Sequence, residues 1–540
     1  MRRVASHVGK LLLAAGLAWM GGELAQAQGV AAVTAASAAA VAADPVKLYG
    51  QHCAACHGAQ RTGGMGPALL PESLERLRRP EALKVIGSGR PATQMPGFGE
   101  QLGAEEITAL AAWIYTPVTP APAWTEHDIR ASRTVVADAA KLPNQPQWRA
   151  DPMNLFVVVE GGDHHVSLVD GDRFERIHRF PSRYALHGGP KFSPDGRFVY
   201  FGSRDGWITK YDLWNLTVVA EVRAGLNMRN VAVSSDGRFV MAANYLPHTL
   251  ALFDAELELV KTYAVAGRDA KQTSRVSAVY DAAPRRSFIV ALKDVPELWE
   301  ISYDPKAEDI YDGLVHDYRM REGVARPGFL NVRRTTLSEP LDDFFFDASY
   351  AHALGAARPR ADGVPSGQVV NLDVRRSIAT LPIAGMPHLG SGITFPYRGS
   401  TVLASPNLKD GTITVIDMKD WKLVRTIAVP GPGFFMRSHE RTPYAWTDSM
   451  MSPSAKDTLT IIDKRTLEPV ASVREPGKTL AHIEFTKDGR HALASLWEMD
   501  GALIVYDAET FKEVKRLPMR KPVGKYNVFN KITRSEGTSH

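Results

Sequence analysis

A repeat constrains this chain more than any other feature. An apolar alternating strand ending in aspartate occurs eight times, closing at Asp170, Asp212, Asp254, Asp304, Asp373, Asp417, Asp463 and Asp507, at intervals of 42, 42, 50, 69, 44, 46 and 44 residues. Each strand is followed by a turn and a second strand. Units recurring at about 40–50 residues predict one four-stranded blade each, hence an all-β, eight-bladed β-propeller. A second marker interleaves with the first: Ser193-Pro194-Asp195-Gly196-Arg197, Ser235-Asp236-Gly237-Arg238 and Lys487-Asp488-Gly489-Arg490. Each reads as a hairpin turn in which glycine supplies a positive φ. The β regime opens at Leu155-Phe156-Val157-Val158-Val159, which places the propeller at 153–540, and the 69-residue interval implies an insertion around 314–341.

A propeller is a platform and specifies no chemistry. The chemistry stands upstream, in Cys53-Ala54-Ala55-Cys56-His57, where the only two cysteines of 540 residues form the C-x-x-C-H pattern of heme c attachment. On a helical turn, thiols at i and i+3 reach two vinyl groups of one porphyrin, and His57 falls under the ring as an axial iron ligand. A zinc site would need another Cys/His pair at ligand spacing, and a redox dithiol would not need the histidine. Met95, in Gln94-Met95-Pro96-Gly97-Phe98-Gly99, and Met65, in Gly64-Met65-Gly66-Pro67, compete to be the sixth ligand, whose thioether would raise the potential and make the iron an electron relay. Met95 is favoured because its segment precedes a predicted helix, 104–115, carrying Ile107, Leu110, Ala111 and Ile114 at helical spacing. That order resembles small bacterial cytochromes c. Residues 45–117 are therefore read as a small all-α cytochrome c domain, and its fusion to a propeller says that the propeller's ligand exchanges electrons.

The flanking segments are simpler. Residues 1–27 carry Arg2, Arg3 and Lys10, an apolar run from Leu11 to Met20, and Ala25-Gln26-Ala27, the pattern of a secretory signal peptide. Export agrees with heme c, which bacteria attach outside the cytoplasm, and predicts a periplasmic protein. Residues 28–44 are nearly all small and apolar and read as a tether. No later stretch approaches a membrane span. The formal charge of +5 includes three basic residues and one acidic residue in the leader, and no block of like charge argues for nucleic acid. Pro117, Pro120 and Pro122 open a polar segment, 118–152, read as a linker or interdomain strap.

Several motifs carry a resemblance: Ala185-Leu186-His187-Gly188-Gly189, Ser203-Arg204-Asp205-Gly206-Trp207, Tyr211-Asp212-Leu213-Trp214, Asn244-Tyr245-Leu246-Pro247 and Gly524-Lys525-Tyr526-Asn527-Val528-Phe529-Asn530-Lys531. They resemble the d1 domain of cytochrome cd1 nitrite reductases, and the similarity runs over roughly 45–540. It implies heme d1 in the central funnel, with His187 as the proximal ligand of its iron and Arg229 and Tyr245 near the ring and its carboxylates.

Two departures from that family carry functional weight. Of the two distal histidines that protonate nitrite in the reductases, one is retained as His388 and the other falls on Phe346, whereas His482 and Tyr526 stand where the reductases have nonbasic residues. This pattern, and the C-terminal 533–540, are similar to the NirN branch, the dihydro-heme d1 dehydrogenases. The resemblance implies oxidation of a propionate side chain of noncovalently bound dihydro-heme d1 to an acrylate, the last step in making heme d1, with electrons passing to heme c. His388 and His482 are the candidate bases, since neutral imidazole accepts a proton near pH 7, and Tyr526 a candidate donor or relay. Arg229 could pair with a carboxylate in a bidentate way. Implied partners are a periplasmic electron acceptor and, in passing contact, nitrite reductase and other heme d1 maturation proteins. The alternatives are a cytochrome cd1 nitrite reductase and a noncatalytic heme d1 carrier.

Overall fold

The marker strands become sheets because their alternation gives each an apolar face that only a neighbouring strand and the next sheet can cover. In this computed structural model, which describes residues 43–540 apart from 65, 75, 76, 90–94, 121, 187, 188, 312–324, 357–366, 384–387, 535 and 538–540, every marker strand is third in a four-stranded antiparallel meander. Blade 3 is representative: Asn227–Val233, Phe239–Leu246, Thr249–Asp254 and Leu259–Ala264 follow in order. Eight such sheets occur among the described residues. The fourth strands, such as Leu423–Ala428 and Glu513–Pro518, are largely exposed, and the first strands, such as Leu480–Phe485, are buried, so first strands face the axis. The expected leader and most of the tether lie outside the described residues.

The two sequence markers touch. Asp212 Oδ1 accepts the N–H of Trp214 (2.9 Å) and Asn215 (3.1 Å), turning the chain into the fourth strand. Its Oδ2 accepts from Nε and Nη2 of Arg197 at 3.0 and 2.8 Å, and Arg197 directly follows an Asp-Gly turn between first and second strands. The same aspartate-capped turn recurs at Asp254, which accepts from Glu256 and Glu258, and at Asp507, which accepts from Glu509 and Thr510. Gly196, Gly237 and Gly489 have φ of 73°, 73° and 71°, a conformation that costs other residues about 1–2 kcal/mol.

The ring closes in a way the repeat does not disclose. Blade 1 takes its inner strand, Pro522–Asn527, from the C-terminus and pairs it with Leu155–Glu160, Tyr526 opposite Val157. Helix Val528–Thr533 follows at once, with the Asn527 side chain accepting from Asn530 N–H. The long interval also resolves differently from the expected 314–341. Residues 303–331 lie between the third and fourth strands of blade 4 and carry the short hairpin Ile310–Tyr311 and Ala325–Arg326, whereas Val332–Thr336 is the regular fourth strand.

The cytochrome portion comprises helices Pro45–His52, Ala54–His57, Pro71–Leu74, Arg79–Ser88 and Ala104–Trp113. Tyr49, Leu74, Ile86, Phe98, Leu102, Leu110, Ala111 and Ile114 form its core. Segment 118–152 is no free spacer. Helix Glu126–Ser132 buries Ile129 against blades 2 and 3, and strand Thr134–Val135 adds a fifth strand to blade 2. Residues 43–540 consequently form one compact unit.

Arg223 is the polar tie between the two parts. It is 8 % exposed, its Nη2 donates to the carbonyl of Thr62 (2.7 Å) beside the heme-attachment turn, and its Nε donates to the carbonyl of Asp205 (2.8 Å). Ala68 and Leu70 pack beside it on Leu226. Arg223→Ala should lower the stability of the cytochrome's seat by about 1.5–3 kcal/mol. Limited proteolysis should then cut the 118–152 strap sooner than in wild type while the heme c spectrum stays unchanged; equal cleavage rates would remove this role.

Candidate functional site

The inner strands and the loops beside them bring residues from around the ring to a cavity of about 550 Å³ at one mouth of the axis. Its apolar wall includes Phe434, Phe435, Met450 and Met451, and its polar wall includes Arg204, Arg229, Arg437, Asp343, His388, His482 and Tyr526. This is the size and composition of a ligand site: a mainly apolar cleft with a few convergent polar groups.

His482 is positioned by an irregularity in its strand. The register of Leu480–Phe485 slips between Ala481 and Ile483, and His482 takes φ of 49°. A bulge re-aims one side chain, and a left-handed nonglycine residue persists only where its surroundings enforce it. Here they do: the His482 N–H donates to Asp448 Oδ2 (3.3 Å), and the same carboxylate accepts the N–H of Phe434 (2.8 Å) and Phe435 (3.3 Å). The imidazole lies 4.5 Å from the Phe435 ring and 5.3 Å from that of Tyr526. Its Nδ1 faces Lys525 Nζ at 3.3 Å, and its Nε2 is buried with no hydrogen-bond partner among the described residues. Burial first, then the basic groups around it, hold this histidine well below its usual 6.5.

His388 approaches from the opposite side. Its Nδ1 is 2.7 Å from Ser391 Oγ, and its Nε2 is 3.9 Å from Asp343 Oδ2. Gly390 N–H (2.8 Å) and the Tyr280 hydroxyl (3.1 Å) both donate to Asp343, tying the histidine's loop to blade 5. Loss of water around it, with Arg229 and Arg437 nearby and partly offset by Asp343, lowers this imidazole to about 4. Burial pushes the Tyr526 phenol up to about 12, so it stays protonated and able to donate.

Arg229 reaches the cavity, its Nε donating to the Ser277 carbonyl (2.9 Å). Tyr245 stands behind the wall, buried, its ring 6.0 Å from the Arg204 guanidinium. His187 and Met65 lie outside the described residues. Phe346 is not above this cavity. Its ring packs with Phe344 and Tyr350 between blades and lines a separate cavity elsewhere on the propeller. Successive side chains of a strand point to opposite faces, so within Asp343–Phe346 the cavity receives Asp343 and the core receives Phe346.

Sequence reasoning missed Arg437 and Lys525. Arg437, 3 % exposed, ends the apolar run Phe434-Phe435-Met436-Arg437, and a charge inside such a run was the available signal. The residues suit a carboxylated macrocycle. Three arginines line the cavity beside phenylalanine and methionine side chains, and Arg437 Nε, Trp497 Nε1 and His482 Nε2 are buried polar atoms without partners among the described residues.

The heme c turn also fits its group. Cys53 and Cys56 are unpaired by disulfide and His57 is buried on the same turn. His57 Nδ1 lies 2.7 Å from the Pro67 carbonyl, which sets Nδ1 as the donor and leaves Nε2 for iron. Met95 packs in the apolar cluster that contains Cys53 and Ala54.

Comparisons with known proteins agree with this architecture. The Cytochrome D1 heme domain family matches residues 150–312 and 327–531, and the family of cbb3-type cytochrome c oxidase subunit III matches 40–114. The dihydro-heme d1 dehydrogenase of Pseudomonas aeruginosa is 54 % identical over 91 % of this chain and 95 % of its own length. A nitrite reductase of Stutzerimonas stutzeri is 27 % identical over 97 % of this chain and 99 % of its own. Among solved structures, the dihydro-heme d1 dehydrogenase NirN in complex with DHE superposes with a TM-score of 0.82 at 53 % identity, covering 91 % of this chain and all of that one. A heme c turn joined to a d1-type propeller, over almost the full length of that relative, makes this chain a member of the dihydro-heme d1 dehydrogenase family.

Proposed function

We propose that this protein oxidises one propionate side chain of dihydro-heme d1 to an acrylate, the last step of heme d1 formation. The observation that carries this reading is the convergence of His482, Tyr526 and His388 with three arginines on one cavity. Removing hydrogen from a propionate needs a base, a grip on the carboxylate and an outlet for electrons. His482 and His388 are the bases, both neutral at pH 7. Tyr526, protonated, donates to the substrate, and Arg229 and Arg437 hold its carboxylates. His187 serves as the iron's protein ligand. Cys53, Cys56, His57 and Met95 hold heme c, which when bound supplies one-electron transfer.

The leader pattern and the heme c turn support a periplasmic location in a denitrification setting, with a periplasmic electron acceptor and passing contact with nitrite reductase and other maturation proteins. No helix among the described residues is long and apolar enough to cross a membrane.

The test is incubation of the holoprotein with dihydro-heme d1 and an oxidant. The expected product is two hydrogens lighter, with absorbance shifted as conjugation extends into the ring. No mass change, or rapid turnover of nitrite instead, would overturn the proposal. The pH profile is a further expected result. An imidazole with its ordinary pKa would lose its basic form below 6.5, whereas lowering the pKa keeps the base unprotonated further into acid. kcat/KM should therefore hold level from pH 8 to 6 and fall only below. A midpoint at 6.5 would count against both histidines.

A further inference from the structure

Behind His482 lies a lysine that the reaction as described does not use. Lys525 is 0 % exposed, and its Nζ has three neighbours: the carbonyl of His482, Ser495 Oγ at 2.9 Å and His482 Nδ1 at 3.3 Å. Among the described residues no carboxylate lies within ion-pair distance of it. The charged groups packed nearest are Arg437 from blade 7, Glu484 from the same strand as His482, Asp448 and Lys531. Neither carboxylate reaches the lysine: Glu484 Oε1 accepts from Asn530 Nδ2 and Phe485 N–H, its Oε2 is buried without a hydrogen-bond partner among the described residues, and Asp448 accepts four backbone N–H groups.

An unpaired ammonium in such a place is costly, and a buried lysine answers by giving up its proton. A neutral amine has two N–H donors and one lone pair. The three neighbours serve either form, so burial without an ion-pair partner decides between them: in the neutral form the carbonyl and the serine oxygen take the two donors, and the lone pair faces Nδ1. Nδ1 then carries the imidazole proton, and Nε2 keeps the free lone pair. The protonation of Lys525 thus decides whether His482 presents a base or a donor on the side away from the lysine.

We propose that Lys525 is a neutral amine and that Lys525 and His482 form a two-residue proton relay. The inference rests on the reading of His482 as a base. As a substrate C–H bond breaks, its proton forms an N–H bond at Nε2, the N–H bond at Nδ1 breaks, and that proton forms the third N–H of a Lys525 ammonium. The imidazole ends neutral, with its proton on Nε2, and the positive charge rests on the lysine, where the His482 carbonyl, Ser495 Oγ and Nδ1 all accept from it. The electron pair left on carbon becomes the new double bond as the second C–H bond breaks, its proton passing to His388 and its two electrons leaving one at a time to two equivalents of the one-electron oxidant. Lys525 is accordingly a positioning residue that acts through His482.

Two measurements test this with the full-length protein. The first is ¹⁵N NMR of histidine-labelled protein without substrate at pH 7, the His482 signals assigned by their loss in His482→Asn. Protonated Nδ1 and unprotonated Nε2 are expected, with the two exchanged in Lys525→Arg, whose guanidinium can only donate; protonated Nε2 in wild type would overturn the relay. The second is conversion of dihydro-heme d1. Lys525→Met and Lys525→Arg should bind the substrate yet convert it about 10²-fold more slowly. Methylamine should rescue Lys525→Ala in proportion to its free base, so that rescue grows with pH at fixed total amine. Wild-type conversion by Lys525→Arg, or rescue that tracks methylammonium, would overturn the relay alone. Full conversion by His482→Asn would overturn the base assignment and the relay with it.

Discussion

His482→Ala is expected to bind dihydro-heme d1 as wild type does and to convert it about 10²–10⁴-fold more slowly, the range a positioned general base contributes. The effect should fall on the rate and spare affinity, because the grips on the substrate lie elsewhere: Arg229 and Arg437 are on other blades, and the Phe434 and Phe435 backbones are held by Asp448 whether or not an imidazole stands at 482. The left-handed backbone at 482 makes His482→Asn the better second variant, since asparagine tolerates φ of 49° more readily than alanine does. The two variants should be equally slow and equally stable to heat within a few degrees. His388→Ala should also slow conversion, with a smaller loss than His482→Ala. Substrate titration followed by absorbance gives the affinity, and product mass gives the rate. Full conversion by both alanine variants would remove the base assignment. Phe346→His should rescue neither, since that side chain faces the core between blades.

What was legible in the sequence is what local physics writes there. The propeller could be read because its blades repeat local devices, an aspartate that accepts the N–H groups of its own turn and, in three blades, an Asp-Gly turn with the glycine at positive φ, both visible within a few residues. Heme c could be read because its three residues fall within five positions of the chain. The d1-side residues came through resemblance alone. His482 is an ordinary histidine in a β pattern until the register slip at Ala481 and Ile483 is known. Lys525 is one of many lysines until the C-terminal strand is known to close blade 1 and bury it beside blade 8. Phe346 is a different case: on its strand Asp343 lines the cavity, and alternation puts Phe346, three residues on, on the opposite face. Linker and strap stayed open for 118–152 because the contacts that make it a strap, such as Trp148 Nε1 donating to the Leu213 carbonyl, cross long sequence distances.

Gly66→Ala should damage the electron outlet without touching the propeller. A Cβ built on Gly66 would stand 2.8 Å from His57 Cε1 and 2.9 Å from its Nδ1, closer than real Cβ contacts come. Neither side can give way cheaply. The Gly66 N–H donates to the Cys56 carbonyl (2.8 Å) and the Gly66 carbonyl accepts from Gly64 N–H (2.9 Å), while the imidazole is anchored through Nδ1 at the Pro67 carbonyl. The ring must turn or shift, and a displacement near 1 Å at a working group costs about 10²-fold. The expected variant still carries covalent heme c through Cys53 and Cys56, shows an altered axial-ligand spectrum and potential, binds dihydro-heme d1 normally and converts it about 10²-fold more slowly. Gly50→Ala is the control, since a Cβ there meets nothing within 4 Å, and it should match wild type in all four respects. A Gly66→Ala protein with native spectrum, potential and rate would show that His57 has room to spare and that its orientation does not depend on the bare backbone at position 66.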